Sequence, residues 1–332
     1  MTFRELNEGD RPDLETLLSE NPHKSLQIRL QGLDREKLVR FHSDLILARS
    51  EKKQSPVWLL NKGSGKAVIG SKKLVKHTEY FGFPVYSIEP MITYALSPDD
   101  KKEAIREVIT RFGERDGGVV WTSFEEAEEG LAEPFIEAGG NYCGTTLRLS
   151  CKLGPDPNIP RASDVEVREV TPPDLPDIVE LARTSHHHSH FFRDPNLPSD
   201  RVADLFPQYV EGAFGKPNHS ILVAESRDRR FLGFVLLICP KGQVEQIGKK
   251  VGILDFIVVD EAYQGSGVGK LLVEHTISFL HDLGYEFVEL KTMLDNLAAL
   301  RFYQRAGFQT LSAQMHFSIG LDPALVSENG GI

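Results

Sequence analysis

The sequence predicts an α/β protein with two domains. The chain has 332 residues, of which 40% are apolar, and this is enough for two domains of ordinary size. Strand-like and helix-like segments follow one another along the whole chain. In the stretch 154–160, three prolines and a glycine disfavour any continuing helix or inner strand. We therefore predict an N-terminal α/β domain over 1–153 and a C-terminal domain over 164–320.

The first half mixes helices and strands. Apolar residues at helical spacing predict one amphipathic helix after Asp34 and another after Ser97. The run Lys62-Gly63-Ser64-Gly65 lies between two strand-like segments, which predicts a hairpin of strands 56–60 and 67–74. The last three elements of this half are a strand, a helix and a strand, which we place at 118–121, 125–138 and 142–153.

The second half shows a regular succession of elements. Thr171 with Pro172 favours a helix start, Gly284 favours a helix end, and the run Arg227-Asp228-Arg229-Arg230 favours a polar turn between strands. The predicted order is strand, two helices, three strands, helix, strand, helix and strand. We place these elements at 164–170, 172–188, 198–214, 220–226, 231–239, 251–259, 267–283, 287–293, 296–306 and 308–319.

A glycine-rich loop joins the strand 251–259 to the helix after it. Its residues are Gln264, Gly265, Ser266, Gly267, Val268, Gly269 and Lys270. Glycines let successive backbone N–H groups converge on a ligand, and a helix N-terminus adds about half a positive charge, so the pattern suits a pyrophosphate. The spacing fits neither the Walker A motif nor the dinucleotide fingerprint. A plain turn into a helix is the alternative.

Gln264, Gly267 and Gly269 resemble the signature of the GNAT family of N-acetyltransferases, Gln/Arg-x-x-Gly-x-Gly/Ala after a strand. A second run typical of that family is matched downstream by Asn296, Ala299, Tyr303 and Gly307-Phe308. The resemblance implies a GNAT fold for the C-terminal domain, with a mixed, mostly antiparallel central sheet flanked by helices. It also implies acetyl-CoA as acyl donor, bound by the loop 264–270 and by Asn296, Ala299 and Tyr303.

The same resemblance assigns roles near the reacting thioester. Main-chain groups of Ile257, Val258 and Val259 would contact the thioester and the pantetheine arm, because the fourth GNAT strand is bulged and opens away from the fifth. Tyr303 would donate a proton to the departing thiolate. It lies seven residues after Asn296, about two helical turns, so both side chains should face the same side. Simple aromatic packing is the alternative for Tyr303, and helix capping is a second, compatible role for Asn296.

The general base is less sharply defined by the sequence. Asp255 should share a strand face with Ile257 and Val259 by period-two alternation. Apolar neighbours would raise the pKa of its carboxyl group, which is useful for a base. Glu289 on the neighbouring strand is a competing candidate, and a chain of water molecules is a third option.

The histidine-rich segment 184–195 lies between the first two helices of the C-terminal domain, where GNAT enzymes wall the acceptor pocket. Consecutive histidines on a helix point in different directions, and only His186 and His190 share a face, so we predict no metal site. We expect the acceptor to contact five residues: His186, His190, Phe191, Asp194 and Thr292. A solvated polar turn is the alternative.

Ser189-x-Phe191-x-x-Asp194-Pro195 resembles a stretch of bacterial dTDP-fucosamine acetyltransferase-like proteins. Two further runs resemble that group, 80–85 and 291–296. Position 190 is His where the group has Arg, and position 293 is Met where Gln is usual. The expected acceptor is therefore a primary amine of a small molecule, with a nucleotide-linked amino sugar as one candidate. A peptide, polyamine or aminoglycoside amine is the alternative, as is a non-catalytic acyl-CoA sensor.

Charge, apolar pattern and cysteine content indicate which partners and which location to expect. A net charge of −10 disfavours broad attraction to nucleic acid or anionic membranes. The charged N-terminal stretch and the lack of a long apolar run predict a cytoplasmic protein without a membrane segment. Three cysteines, without metal-ligand spacing, are expected to be reduced. A homodimer is compatible with the sequence.

An internal echo links the two halves. Phe135-Ile136-Glu137-Ala138-Gly139-Gly140 resembles Tyr303-Gln304-Arg305-Ala306-Gly307-Phe308, and a strand follows each run. This suggests that the N-terminal domain is a degenerate copy of the C-terminal one. Coincidence between two helix-glycine-strand junctions is the alternative. The first copy has Phe135 in place of Tyr303 and no matching glycine-rich loop, so we assign the chemistry to the second copy.

Overall fold

A computed structural model describes residues 2–20, 34–52, 55–113, 117–125, 130–154, 164–185, 188–242 and 248–321. They form two compact units. The first contains the described residues of Met1–Thr145, Arg193–Pro198 and Ser312–Ile332, and the second those of Thr146–Phe192 and Ser199–Leu311. The proline-rich stretch predicted as a linker lies, after Gly154, outside the described residues.

Helices and strands are interspersed along both halves of the chain. The first half contains β1 (Thr2–Glu5), α1 (Arg11–Glu20), α2 (Arg35–Ser50), β2 (Val57–Lys62), β3 (Gly65–Lys73), α3 (Val75–Phe81), β4 (Val85–Tyr94), α4 (Pro98–Gly113), β5 (Gly118–Glu125), α5 (Ala132–Glu137) and β6 (Asn141–Lys152). The second half contains β7 (Val165–Glu169), α6 (Leu175–Ser185), α7 (Ser199–Ala213), β8 (His219–Ser226), β9 (Phe231–Ile238), β10 (Val251–Val259), α8 (Val268–Asp282), β11 (Phe287–Met293), α9 (Leu297–Arg305) and β12 (Gln309–Leu321).

The sheet of the first unit has the strand order β1-β2-β3-β4-β5-β12. Its neighbouring strands are antiparallel except β4 and β5, which run parallel from the pair Val85–Val119 to the pair Ile88–Thr122. Apolar side chains of α4 and α5 cover one face of this sheet, and those of α1 and α2 cover the other. The unit is therefore a three-layer arrangement around a mixed sheet.

The second unit repeats this plan. Its strand order is β7-β8-β9-β10-β11-β6, again antiparallel except for one parallel pair, β10 with β11. Helices α6 and α7 pack on one face, and α8 and α9 pack on the other. In each unit the sixth strand comes from the other half of the chain, because β12 pairs with β5 and β6 pairs with β11.

The predicted duplication is confirmed by the shared strand pairing and by an element order that, among the described residues, is the same apart from helix α3 of the first unit. The two echo runs also fold alike: Gly139 and Gly307 both have a left-handed backbone, with φ of 97° and 91°. The N–H of Gly140 donates to the carbonyl of Phe135 at 3.0 Å, and that of Phe308 donates to the carbonyl of Tyr303 at 3.0 Å. Phe135 and Tyr303 therefore occupy equivalent positions on α5 and α9.

Most predicted elements are present, but the predicted strand 118–121 is too short and the predicted helix 125–138 is too long. The predicted helix 125–138 is reduced to α5, and Glu125 instead ends β5. β5 continues this far because every second residue, Val120, Thr122 and Phe124, is buried in the sheet. The helix predicted after Asp34 is α2, and Asp34 caps it, since its side chain accepts the N–H groups of Glu36 and Lys37 at 3.0 and 3.2 Å.

Candidate functional site

The candidate site begins where two parallel strands of the second unit separate. β10 and β11 are paired from Val251–Phe287 to Leu254–Leu290, and the ladder between these two fully described strands ends there. β10 continues as far as Val259, paired only with β9 on its other side. Among the described strands, none pairs with the backbone edge of Ile257, Val258 and Val259 that faces β11. Such an edge offers N–H groups to a ligand.

A β-bulge marks the point of separation. The register of β10 against β9 shifts between Leu254 and Phe256, which leaves Asp255 as the extra residue. The expectation that Asp255 shares a face with Ile257 and Val259 is wrong, because the bulge resets the alternation. Asp255 instead accepts a hydrogen bond from the Tyr209 hydroxyl of α7, whereas Ile257 and Val259 pack with the core on the α8 and α9 side.

The glycine-rich loop has the shape that its sequence predicts. Gly265 and Gly267 have φ of +78° and +96°, a backbone that other residues rarely adopt. A Cβ atom added at either position would meet no protein atom within 4 Å, so the loop surface is open there. Gly267 is the N-cap of α8 and has no capping side chain. The first bond of the helix, Leu271 N–H to Gly267 carbonyl at 3.1 Å, leaves three earlier N–H groups without an intrahelical acceptor, those of Val268, Gly269 and Lys270.

Side chains of the loop fix its conformation. The Gln264 amide donates to the carbonyl of Val259 at 3.3 Å, and the Ser266 hydroxyl donates to the carbonyl of Tyr263 at 2.6 Å. Lys270, on the first turn of α8, is largely exposed. Its Nζ atom lies 3.7 Å from Oε1 of Glu274. Gln264 thus ties the loop to the end of β10, which places the open helix N-terminus directly after the open strand edge.

Helix α9 supplies the second group of predicted residues. Asn296 caps it, since its side-chain oxygen accepts the N–H of Ala299 at 3.2 Å, which confirms the predicted cap. Tyr303 is buried, with its ring 5.8 Å from Phe308 in an edge-on contact and 5.2 Å from Phe302. Burial raises the pKa of Tyr303, so its phenol stays protonated at neutral pH. The side chain is therefore packed as an aromatic core residue and holds a proton.

A polar patch occupies the face of the sheet opposite α8 and α9. On β11, Val288 and Leu290 pack on the α8 side, so Glu289 and Lys291 point to the other face. β6 places Ser150 opposite Glu289 and Arg148 opposite Lys291. We call these four residues the β6–β11 polar patch. The sequence could have indicated Lys291 by alternation with Glu289, whereas no sequence signal identifies the partner residues on β6.

Two carboxyl groups near this face have raised pKa values. Burial raises the pKa of Glu289 to about 8, although Arg148 and Lys291 act to lower it. Burial also raises the pKa of Asp255, against the hydrogen bond from Tyr209 and the charges of His219 and Lys291. Solvent reaches the Asp255 residue, but surrounding protein atoms desolvate its carboxylate. Both groups meet the chemical requirement for a base of tuned basicity.

The acceptor residues predicted from the histidine-rich segment fall into separate places. His186 lies outside the described residues. His190 is in the second unit, on a short 3₁₀ turn, with its ring 4.1 Å from the ring of Phe191. Burial, together with the charge of Lys291, lowers the pKa of His190 to about 4, so its imidazole is neutral.

Asp194 belongs to the first unit and is held by structural bonds. Its carboxylate accepts hydrogen bonds from the Trp121 indole at 2.8 Å, the Ser318 hydroxyl at 2.6 Å and the Asn196 N–H at 2.9 Å. Three of the about four acceptor positions of this carboxylate are therefore used within the first unit. Thr292 is half-buried on β11, on the face of Leu290 rather than that of Glu289.

Two further properties concern metals and membranes. Among the described residues, no three His, Cys, Asp or Glu side chains are grouped so that they could hold a metal ion. Within the same part of the chain, no helix combines the length and apolar character needed to cross a membrane.

Comparison with known proteins gives one family. The model of the acetyltransferase (GNAT) family matches residues 177–308. The spore coat polysaccharide biosynthesis protein SpsD of Bacillus subtilis (strain 168) is 23% identical over 154 residues, which are 46% of this chain and 50% of that protein. A mycothiol acetyltransferase of Sanguibacter keddieii is 39% identical over 98 residues, which are 29% of this chain and 30% of that protein. The chain thus matches half or less of the length of these curated relatives.

Solved structures show the fold over nearly the whole chain. A GCN5-related N-acetyltransferase from Sphaerobacter thermophilus aligns with a TM-score of 0.60 at 14% identity, covering 97% of this chain and 96% of that one. A tandem GNAT protein from the clavulanic acid biosynthesis pathway aligns with a TM-score of 0.56 at 12% identity, covering 97% and 99%. Both units therefore have GNAT-like folds, and residues 177–308 of the second match the model of the acetyltransferase (GNAT) family.

Proposed function

We propose that the second unit is an N-acetyltransferase that transfers the acetyl group of acetyl-CoA to a primary amine of a small molecule. The observation that carries this proposal is the adjacency of two open backbone features. The unpaired edge of β10 runs into a glycine loop, and that loop leads to the uncapped N-terminus of α8. An anionic ligand with a long polar arm suits such a track, because N–H groups line it at both ends.

The loop residues fit the CoA pyrophosphate. The N–H groups of Val268, Gly269 and Lys270 precede the first helical bond, and the positive end of α8 favours a phosphate there. Gly265 and Gly267 leave open space above the backbone, so phosphate oxygens can approach closely. When bound, acetyl-CoA supplies the activated acetyl group as a thioester. Main-chain N–H groups on the open edge at Ile257–Val259 would orient that group.

Tyr303 is the proposed proton donor to the departing sulfur. Its raised pKa keeps the phenol protonated throughout the neutral range, and α9 places it in the same core as Val259. Family resemblance assigns the same role to this position. The equivalent residue of the first unit is Phe135, which has no proton to give. The chemistry is accordingly assigned to the second unit alone.

Asp255 is the proposed base that receives the proton of the acceptor amine. It lies on the bulge at which the two strands part, so it is next to the edge assigned to the thioester. Solvent reaches it, and Tyr209 holds its carboxylate in place. Glu289 remains the competing candidate, because it is more deeply buried and lies one ladder pair before the separation. A water chain between the two carboxylates is compatible with either assignment.

The acceptor is proposed to be a small molecule with hydrogen-bonding groups beside its amine. The relatives' names, a polysaccharide biosynthesis protein and a mycothiol acetyltransferase, favour this over a peptide amine. The polar groups on this side of the sheet are mixed in sign, with Lys291 and Arg148 beside the two carboxylates. A nucleotide-linked amino sugar fits such a surface, since Lys291 and Arg148 could face its phosphates.

The test is acetyl-CoA binding by a pair of matched glycine variants. Gly267→Glu adds an anion at the N-terminus of α8, whereas Gly215→Glu adds the same charge at another open, left-handed glycine of the second unit, where φ is +73°. Calorimetry should show binding lost or weakened by at least about 100-fold in Gly267→Glu only. Equal affinity of folded Gly267→Glu and the wild type would remove the pyrophosphate from this loop.

A further inference from the structure

The first unit contains a polar cavity that the proposed acetyl transfer does not use. Its volume is about 320 Å³, and it lies between α1, α2, β4, the end of β5 and β12. The charged and titratable side chains that line it are His42, Arg49, Glu89 and Glu125. Apolar residues such as Ile46 and Ile92, together with the polar Ser123 and Gln314, form the rest. This space holds on the order of ten water-sized groups.

Glu89, which lines this cavity, occupies the same place in the first unit as Asp255 does in the second. The register between β3 and β4 shifts between Ile69 and Ser71, so that Glu89 and Pro90 face Gly70 alone. A carboxylate therefore lies on the bulge of the fourth strand in both copies of the fold. The first unit has kept a concave site at this point of the fold.

The first unit has no matching cradle for the CoA pyrophosphate. Between β4 and α4 the chain reads Ala95-Leu96-Ser97, without a glycine. The start of α4 is already capped, since the Ser97 hydroxyl accepts the N–H of Asp100 at 3.2 Å. Asp99 and Asp100 add negative charge to its first turn and would repel phosphate. The ligand of this cavity is therefore of another kind than the acyl donor.

Arg49 offers an unused hydrogen-bonding edge to the cavity. Its Nε and Nη2 atoms are buried and, within the described residues, have no hydrogen-bond partner. These two atoms form the side of the guanidinium that binds a carboxylate with two parallel bonds. The Nε2 atom of His42 on the same helix is also buried and has no partner among the described residues. Buried nitrogen atoms of a half-buried arginine and histidine that have no hydrogen-bond partner among the described residues indicate a polar ligand.

The carboxylates of the cavity indicate which second charged group the ligand carries. Glu89 is exposed, Glu125 is 4% exposed, and both line the cavity with Arg49. Burial lowers the pKa of His42, so the imidazole is neutral. One cation and two carboxylates are best matched by a molecule with both an anionic and a cationic group. The small volume limits that molecule to about the size of a single amino acid.

We propose that this cavity binds a free α-amino acid, whose carboxylate pairs with Arg49 and whose ammonium group faces Glu89 and Glu125. The first unit is then a binding module for a small zwitterion, with its own ligand and without transfer chemistry. An apolar side chain of the ligand would contact Ile46 and Ile92.

Calorimetry on the full chain tests this with the proteinogenic α-amino acids as probes. At least one should bind with a stoichiometry of one. The matching amine without a carboxylate, and the matching acid without an ammonium group, should each bind at least about tenfold more weakly. Arg49→Gln should weaken binding by at least about tenfold, and Arg49→Lys, which keeps the charge but loses the fork, by an intermediate factor. Arg40→Gln, an exposed position on the same helix, should leave binding unchanged.

Several results would overturn the proposal. One is that none of the amino acids binds to the folded wild-type chain. Another is that binding persists undiminished in folded Arg49→Gln, which would place the ligand elsewhere, for example at the amine site of the second unit. Equal affinity for the acid lacking the ammonium group would exclude a role of Glu89 and Glu125. Displacement of the amino acid by acetyl-CoA would mean that the cavity belongs to an acyl-donor site.

Discussion

The burial of Glu289 predicts how the free energy of unfolding depends on pH. An unfolded glutamate titrates near pH 4.5, whereas burial raises the pKa of Glu289 in the folded chain to about 8. Between these values the unfolded state releases a proton that the folded state keeps, so the free energy of unfolding falls as pH rises. The full difference between the two protonation states is on the order of 5 kcal/mol, at about 1.36 kcal/mol for each pKa unit.

Glu289→Gln removes this penalty, because the amide has nearly the same shape and no charge. We expect the variant to gain about 2 kcal/mol of stability relative to the wild type between about pH 6.5 and about pH 8.5. Below about pH 4.5 the two chains should be equally stable. Urea unfolding followed by circular dichroism measures this difference in stability. Tryptophan fluorescence is less suitable, because both tryptophans lie in the first unit and would report the unfolding of that unit alone.

Glu166→Gln is the matched control, because Glu166 is an exposed carboxylate on β7 of the same unit. It shows how much of any change comes from removing a carboxylate charge at an exposed position. A stability difference between Glu289→Gln and the wild type that is the same at both pH values would refute a raised pKa at Glu289. The group would then be hydrated, and its place as a candidate base would lose its physical basis.

Three further substitutions separate the proposed roles. Tyr303→Phe keeps the packing against Phe308 and removes the phenol proton. The kcat should therefore fall about 100-fold, while the affinity for acetyl-CoA stays within about threefold of the wild type. An unchanged kcat, with chemistry shown to be rate-limiting, would leave Tyr303 as a packing residue. Asp255→Asn should lower kcat by about 100-fold and abolish the acidic limb of the pH profile, whereas a larger loss in Glu289→Gln would assign the base to Glu289. Asn296→Ala should cost about 1 kcal/mol of unfolding free energy through the lost cap of α9, and an unchanged melting temperature would contradict the bond to Ala299.

Local sequence signals predicted the parts of the site that depend on backbone geometry. Gly265 and Gly267 are required by a left-handed loop, and Asn296 is a typical cap, so each is visible in a short window of sequence. The internal echo at Phe135 and Tyr303 likewise pointed to a repeated fold, because the same glycine-ended helix precedes a strand in both.

Side-chain surroundings set by distant residues could not be predicted in this way. The bulge at Asp255 turns its carboxylate toward Tyr209, and no residue pattern within β10 announces the extra residue. Arg148 and Ser150 reach the patch because β6 pairs with β11, a pairing between segments far apart in the chain. Asp194 is predicted as an acceptor contact, but its carboxylate is taken up by three hydrogen bonds in the first unit.

The central claim is that the second unit turns over acetyl-CoA with an amine. The most direct measurement is release of free CoA thiol from acetyl-CoA, followed over a panel of nucleotide-linked amino sugars, aminoglycosides, polyamines and peptides. We expect thiol release that depends on a small-molecule amine, with matching formation of the N-acetyl product and a loss of about 100-fold in Tyr303→Phe. A chain that binds acetyl-CoA tightly yet releases no thiol with any amine in the panel would contradict catalysis and identify an acyl-CoA sensor instead.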